Sequence, residues 1–118
     1  MAILSVLTLP ANGVSTDDIL AGNFVAADVG GTDYYRNTGN EVLLVRNSGA
    51  GGIVVTISSV PDSFNRTQDE VINVAAGEIS IVGTLPTSAW NQPSPNQGKV
   101  ELTSGTPADT EFLVFRAR

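Results

Sequence analysis

The sequence predicts an all-β fold, a small antiparallel β-sandwich or jelly-roll-like domain of about eight strands with long loops. Three observations predict it. Residues 40–83 hold four β-branched, apolar runs: Glu41–Arg46, Ile53–Ile57, Asp69–Val74 and Glu78–Ile81 with Val82. The links Asn47–Gly52 and Ala75–Gly77 between them carry glycine, the chemistry of a tight turn between strands of period two. Strand-sized runs then recur at short spacing to the end of the chain, the pattern of a sandwich or jelly roll. At 118 residues the chain is read as one domain, 1–118, with residues 1–10 as an edge strand or arm. A chain of this length buries about two-thirds of its unfolded surface, enough for a core of its own.

Ala2 to Leu9 reads as a first strand, with Ile3, Ser5, Leu7 and Leu9 on one face and Leu4, Val6 and Thr8 on the other. It lacks a basic leader region and a cleavage site, so it reads as an ordered strand or arm rather than a signal peptide. An apolar edge of that kind needs cover. It either completes this chain's own sheet or adds to a neighbouring subunit's sheet. Pro10–Gly13 is turn chemistry. Val14–Leu20 reads as a polar connection or as a short helical turn capped by Ser15 or Thr16. Phe24–Ala27 is a short apolar piece, Asp28–Asp33 a turn, and Tyr34–Arg36 a loop or short strand ending at Asn37-Thr-Gly-Asn40.

Val42 to Val45 are all apolar, which marks a strand covered on both faces or central in its sheet. Ile53, Val55 and Ile57 alternate with Val54 and Thr56 and give one buried face. The glycine-rich Gly49–Gly52 reads as a hairpin loop. It is no phosphate cradle, because no lysine follows it and no helix opens after it. Ser58–Gln68 is a polar excursion in which Pro61 forbids a continuing central strand. Val71 and Asn73 face opposite to Ile72 and Val74, and Gly77 supplies a positive-φ turn before Ile79 and Ile81. Thr84–Gly98, with Pro86, Pro93 and Pro95, is a long connection that carries the single tryptophan, Trp90. Lys99–Thr103 and Thr110–Arg116 close the chain. The latter puts Phe112 and Val114 on one side and Leu113 and Phe115 on the other.

Cysteine and histidine are both absent, which excludes disulfides, thiolate or imidazole metal sites, and catalysis by Ser-His-Asp or Cys-His. Carboxylates remain, but Asp17, Asp18, Asp28, Asp33, Asp62, Asp69, Glu70 and Asp109 fall mostly in turns, where Asp bonds nearby backbone N–H groups. No catalytic pair, cofactor or metal is expected and the chain does not read as an enzyme. Asp28–Asp33 lacks the ordered ligand spacing of a calcium loop. Asn65-Arg-Thr67 matches a glycosylation sequon by chance. Twelve acidic residues against six basic ones give a net charge of −6, and the basic residues form no run, so nucleic acid is not an expected partner. No apolar stretch reaches the roughly 20 residues of a membrane helix.

Aromatic residues in loops stack on sugar rings or anchor protein contacts. Trp90 either plugs one end of the sandwich or, held by its proline-rich loop, serves such a contact. The candidate interface residues are Ile3, Leu4, Val6 and Leu7 in the first strand, Tyr34 and Tyr35, and Trp90 with Asn91.

The run Asn37-Thr-Gly-Asn-Glu41 to Ile57, followed by Val71–Glu78 and Gly83, then Gly98–Thr103 and Phe112–Arg116, resembles a group of small structural proteins of tailed phages. The resemblance covers residues 37–116, and its motifs are strand and turn chemistry. It implies a capsid decoration, or cement, protein. Such a protein would be a homotrimer on the capsid exterior of a virion assembled in the bacterial cytoplasm, and would clamp major capsid protein subunits together. Other virion components, such as a head-tail completion or tail-fibre module, and a carbohydrate-binding module remain alternatives.

Overall fold

The computed structural model describes residues 2–8, 24–61, 64 and 66–116. Among them are ten strands: β1 (Ala2–Leu4), β2 (Val6–Thr8), β3 (Val25–Ala26), β4 (Thr32–Arg36), β5 (Glu41–Asn47), β6 (Ile53–Ile57), β7 (Glu70–Val74), β8 (Ile79–Val82), β9 (Lys99–Ser104) and β10 (Thr110–Arg116). A four-residue helix, α1 (Thr87–Trp90), interrupts the proline-rich connection, and a single 3-10 turn (Pro107–Asp109) precedes β10.

The strands form two sheets. The first has the order β1-β4-β9-β6-β7; the second has β2-β10-β5-β8, with β3 also paired to β10. Set aside β1 and β2 and every remaining pairing is antiparallel. The eight strands β3 to β10 then interleave as 4-9-6-7 and 3-10-5-8, a jelly-roll order of two Greek keys. The all-β sandwich expected from the sequence is therefore the fold.

The links behave differently from the expectation. Asn47–Gly52 is not a hairpin loop, because β5 lies in the second sheet and β6 in the first. Ala75–Glu78 crosses back in the same way, and of the consecutive body strands β6 and β7 alone pair with each other. Packed sheets sit about 10 Å apart, a gap that a few residues span. Asn47 organises both crossings. Its Nδ2 donates to the carbonyls of Gly51 at 2.6 Å and Val74 at 3.0 Å, and its Oδ1 accepts from the Gly49 N–H at 2.9 Å. Its backbone bonds Glu78 and Gly77. At Gly49 a Cβ would displace the Asp109 carboxylate that packs against it; at Gly77 a φ of 74° favours glycine by conformation.

Alternation fills the space between the sheets. Tyr35, Val100, Leu102, Ile53, Val55, Ile57 and Val74 point in from the first sheet, and Leu43, Val45, Phe112 and Val114 from the second. The wholly apolar Val42–Val45 run takes the central place it predicts, between β10 and β8, and Leu44 is nearly buried on the sheet's outer side as well.

The N-terminal strand is split. It breaks at Ser5, so β1 joins the first sheet parallel to β4 and β2 joins the second parallel to β10. The body is antiparallel as expected, but these two additions make both sheets mixed and raise the strand count from eight to ten. One unbroken strand would guard one sheet edge; changing sheets lets two short halves guard both, while Leu4 turns into the core. The expected helical turn at 14–20 and the sequon asparagine lie outside the described residues.

Candidate functional site

The motif Asn37–Glu41 is a self-capped turn. Glu41 reaches back to accept from the Thr38 N–H at 2.6 Å, the Thr38 hydroxyl at 2.9 Å and the Asn40 N–H at 3.2 Å. Asn37 Oδ1 accepts from the Gly39 N–H, and Gly39 has a φ of 97°. Arg116, at the far end of β10, donates at 2.7 Å to Glu41 Oε2, the oxygen that also accepts the Thr38 hydroxyl. Burial works against the Glu41 charge, but Arg116 and the Thr38 and Asn40 donors outweigh it, so its pKa lies below the ordinary carboxylate value. Tyr35 lies in the same region. Burial, with the Glu41 charge adding to it, holds its phenol well above the usual range. The motif residues thus work on the frame itself, closing a turn and fastening the last strand to β5.

Asp33 is the inward carboxylate of the first sheet. It stands opposite Leu102 and accepts the Asp28 N–H at 3.1 and 3.3 Å. Burial raises its pKa, against the pull of that N–H donor. The Asp28–Asp33 turn therefore directs one of its carboxylates into the sandwich.

The structure redistributes the eight candidate interface residues. Leu4 and Tyr35 belong to the core, so their apolar surface is already covered within the chain and is not available to a partner. Val6 is half-buried against that core. Ile3 stays on the surface, and Leu7 lies beside Phe115 on the second sheet's outer face. Tyr34 is buried on the outer face of the first sheet, between Ile3 and Glu101 in register, and its phenol is raised by burial first and Glu101 second. Asn91 exchanges bonds with Asn37, accepting from its Nδ2 at 2.7 Å and donating to its carbonyl at 3.0 Å. That engagement makes Asn91 a tie between the α1 loop and β4 rather than a free contact.

Trp90 is a partly buried residue at the edge of the core. One side packs against the core, and the other lines a groove of about 650 Å³ with Ser59, Val60, Arg66, Thr67, Gln68, Glu70 and Ala89. The groove's backbone is fixed by Val60 N–H to Ala89 at 2.9 Å, and by Ser59 N–H to Asp69 at 2.9 Å. Gln92 holds the other wall, donating to the Ser58 carbonyl at 3.0 Å. At its rim the Arg66 guanidinium lies 5.0 Å from the centre of the exposed Phe64 ring, a cation–π distance. The groove presents the Trp90 ring, the Gln68 side chain and the charges of Arg66 and Glu70, and the Ser59 hydroxyl on its wall donates to the Asp69 carboxylate at 3.2 Å.

A second exposed surface was not legible beforehand. β8 directs Ser80 and Val82 inward, leaving Ile79 and Ile81 on the outer side, 41% and 72% exposed. Isoleucines two apart read as a buried face, and the residues of β8 alone give no sign that the other parity faces the core.

No family model, curated protein or solved structure matches the chain.

Proposed function

We propose that the protein is a structural component of a tailed-phage virion, a decoration protein that sits as a homotrimer on the outside of the icosahedral capsid and ties major capsid protein subunits together. The observation that carries this reading is the use to which the motif residues are put. Asn37, Thr38, Glu41, Asn47 and Arg116, the residues on which the resemblance rests, are taken up in turns, sheet crossings and a strand-to-strand ion pair. A chain whose distinctive residues stiffen its frame is suited to bearing load between other proteins. Jelly rolls recur in capsid and lectin domains, an analogy of fold that supports the reading without assigning the function. A net charge of −6 suits docking on a more basic shell. Each copy needs only an interface of ordinary size, because a trimer contacting several shell subunits gains avidity.

The test is addition of the purified protein to capsids that lack it. Saturable binding at hundreds of copies per particle, with a rise in the temperature at which the shells rupture, is the expected result. A handful of copies would instead indicate a connector or tail part. The groove at Trp90 favours a second reading, a carbohydrate-binding module. Glycan binding lost in Trp90→Ala, with no capsid binding, would replace the first reading with this one.

A further inference from the structure

We propose that β8 is a self-association edge, onto which a second copy of this chain adds its own β8, antiparallel, about a two-fold axis through Ser80. Among the described residues β8 is the last strand of its sheet. Its partner β5 pairs Val45 with Ser80 and Leu43 with Val82, and the Asn47 N–H donates to the Glu78 carbonyl two residues earlier. In an antiparallel ladder those hydrogen-bonded positions alternate with outward ones, so the N–H and C=O groups of Ile79 and Ile81 point away from the sheet.

Natural edges are guarded by lysine, proline, inward charges or bulges, and Ile79–Val82 has none of these. The neighbouring edge strand β7 instead carries Glu70 and Asn73. The sequence of β8 is also self-complementary. Isoleucine, serine, isoleucine reads the same from either end, so pairing Ile79 with Ile81 of the second copy satisfies all four outward backbone groups on each side. It also sets the exposed isoleucines of both copies side by side on one outer face. Glu78 then stands opposite Val82 of the second copy, so no like charges meet directly in an acidic chain.

A four-residue edge is small beside the about 800 Å² per partner of a stable complex, so the pairing is weak in solution and strengthens where copies are concentrated. The contact is isologous and makes pairs. It does not depend on the capsid reading; were the chain a trimer as well, the same contact would link one trimer to the next.

Two measurements test it. Sedimentation equilibrium up to about 1 mM is expected to show concentration-dependent doubling of mass, weakened about tenfold or more in Ile81→Lys, a substitution at an exposed position that leaves the fold intact. The chain has no cysteine, so Ser80→Cys gives a clean trap. On the two-fold axis the two thiols face each other across a non-hydrogen-bonded pair with Cα atoms about 4.5 Å apart, within disulfide reach. Ser80→Cys should therefore oxidise to a linked dimer much faster than Ile79→Cys, whose symmetry mates are offset by two residues. Equal cross-linking rates for the two variants, or a mass unchanged by concentration or by Ile81→Lys, would overturn the proposal.

Discussion

The two flanks of the sandwich are finished in opposite ways. On one, the outer edge of β4 is covered by β1 and that of β10 by β2 and β3, so the short N-terminal arm guards both sheets at once. On the other, β7 and β8 end their sheets with nothing beside them among the described residues. The guarded strands include β10, with Phe112, Leu113, Val114 and Phe115 in succession. The difference teaches that edge protection in this chain is selective. A parallel arm is placed where an apolar strand would otherwise be bare, and β8, with two exposed isoleucines, is left open.

The comparison can be broken most severely by removing residues 1–8. That uncovers two edges and withdraws Leu4 and Val6 from the core, so a loss of about 4 kcal/mol or more is expected, with aggregation on size-exclusion chromatography. Within the arm, Leu4→Ala should cost about 2–3 kcal/mol by urea denaturation. Ile3→Ala, at an exposed position of the same strand, should stay within about 0.5 kcal/mol. Equal effects would mean that the arm acts through its backbone alone.

Among the described residues two carboxylates point inward, Asp33 from β4 and Glu41 from β5, and their pKa shifts have opposite signs. Glu41 is lowered, so its stabilisation is present above the ordinary carboxylate range and is lost as pH falls through its folded-state pKa. Asp33 is raised, so its contribution favours the folded state at low pH and fades as pH rises through that raised value. Glu41→Gln, which leaves Arg116 without its carboxylate, should lose about 2 kcal/mol at pH 7 and flatten the decline in acid. Asp33→Asn should steepen that decline; thermal melts between pH 3 and 7 measure both. The smallest effect belongs to the open flank. Ile81→Lys should change monomer stability by less than about 0.5 kcal/mol, because its side chain gains little from folding.

Much of the frame was legible because it is local. The alternation in Ile53–Ile57 and Phe112–Arg116, the fully apolar centre of β5 and the positive φ at Gly77 all follow from side-chain period and turn sterics. The site was less legible. Tyr34 and Tyr35 look alike in sequence, yet one parity sends Tyr35 into the core and leaves Tyr34 on the outer face of its sheet. Asn91 looked free beside Trp90, and only a partner 54 residues away shows that its amide is engaged. Ile79 and Ile81 had the spacing of a core face and turned out exposed, because Asn47 fixes the register of β8 from across the turn.

By itself the sequence determined that this chain builds strands, where they bend, and that neither cysteine nor histidine chemistry is open to it. Those follow from residue type and period, which act over a few neighbouring residues. Only the tertiary structure decided which strands pair, that Asn47–Gly52 crosses between sheets instead of closing a hairpin, and which edges are guarded. A turn of a few residues can serve either a hairpin or a crossing, and the choice rests on how both apolar faces of β5 are buried, a condition set by residues far apart in the chain.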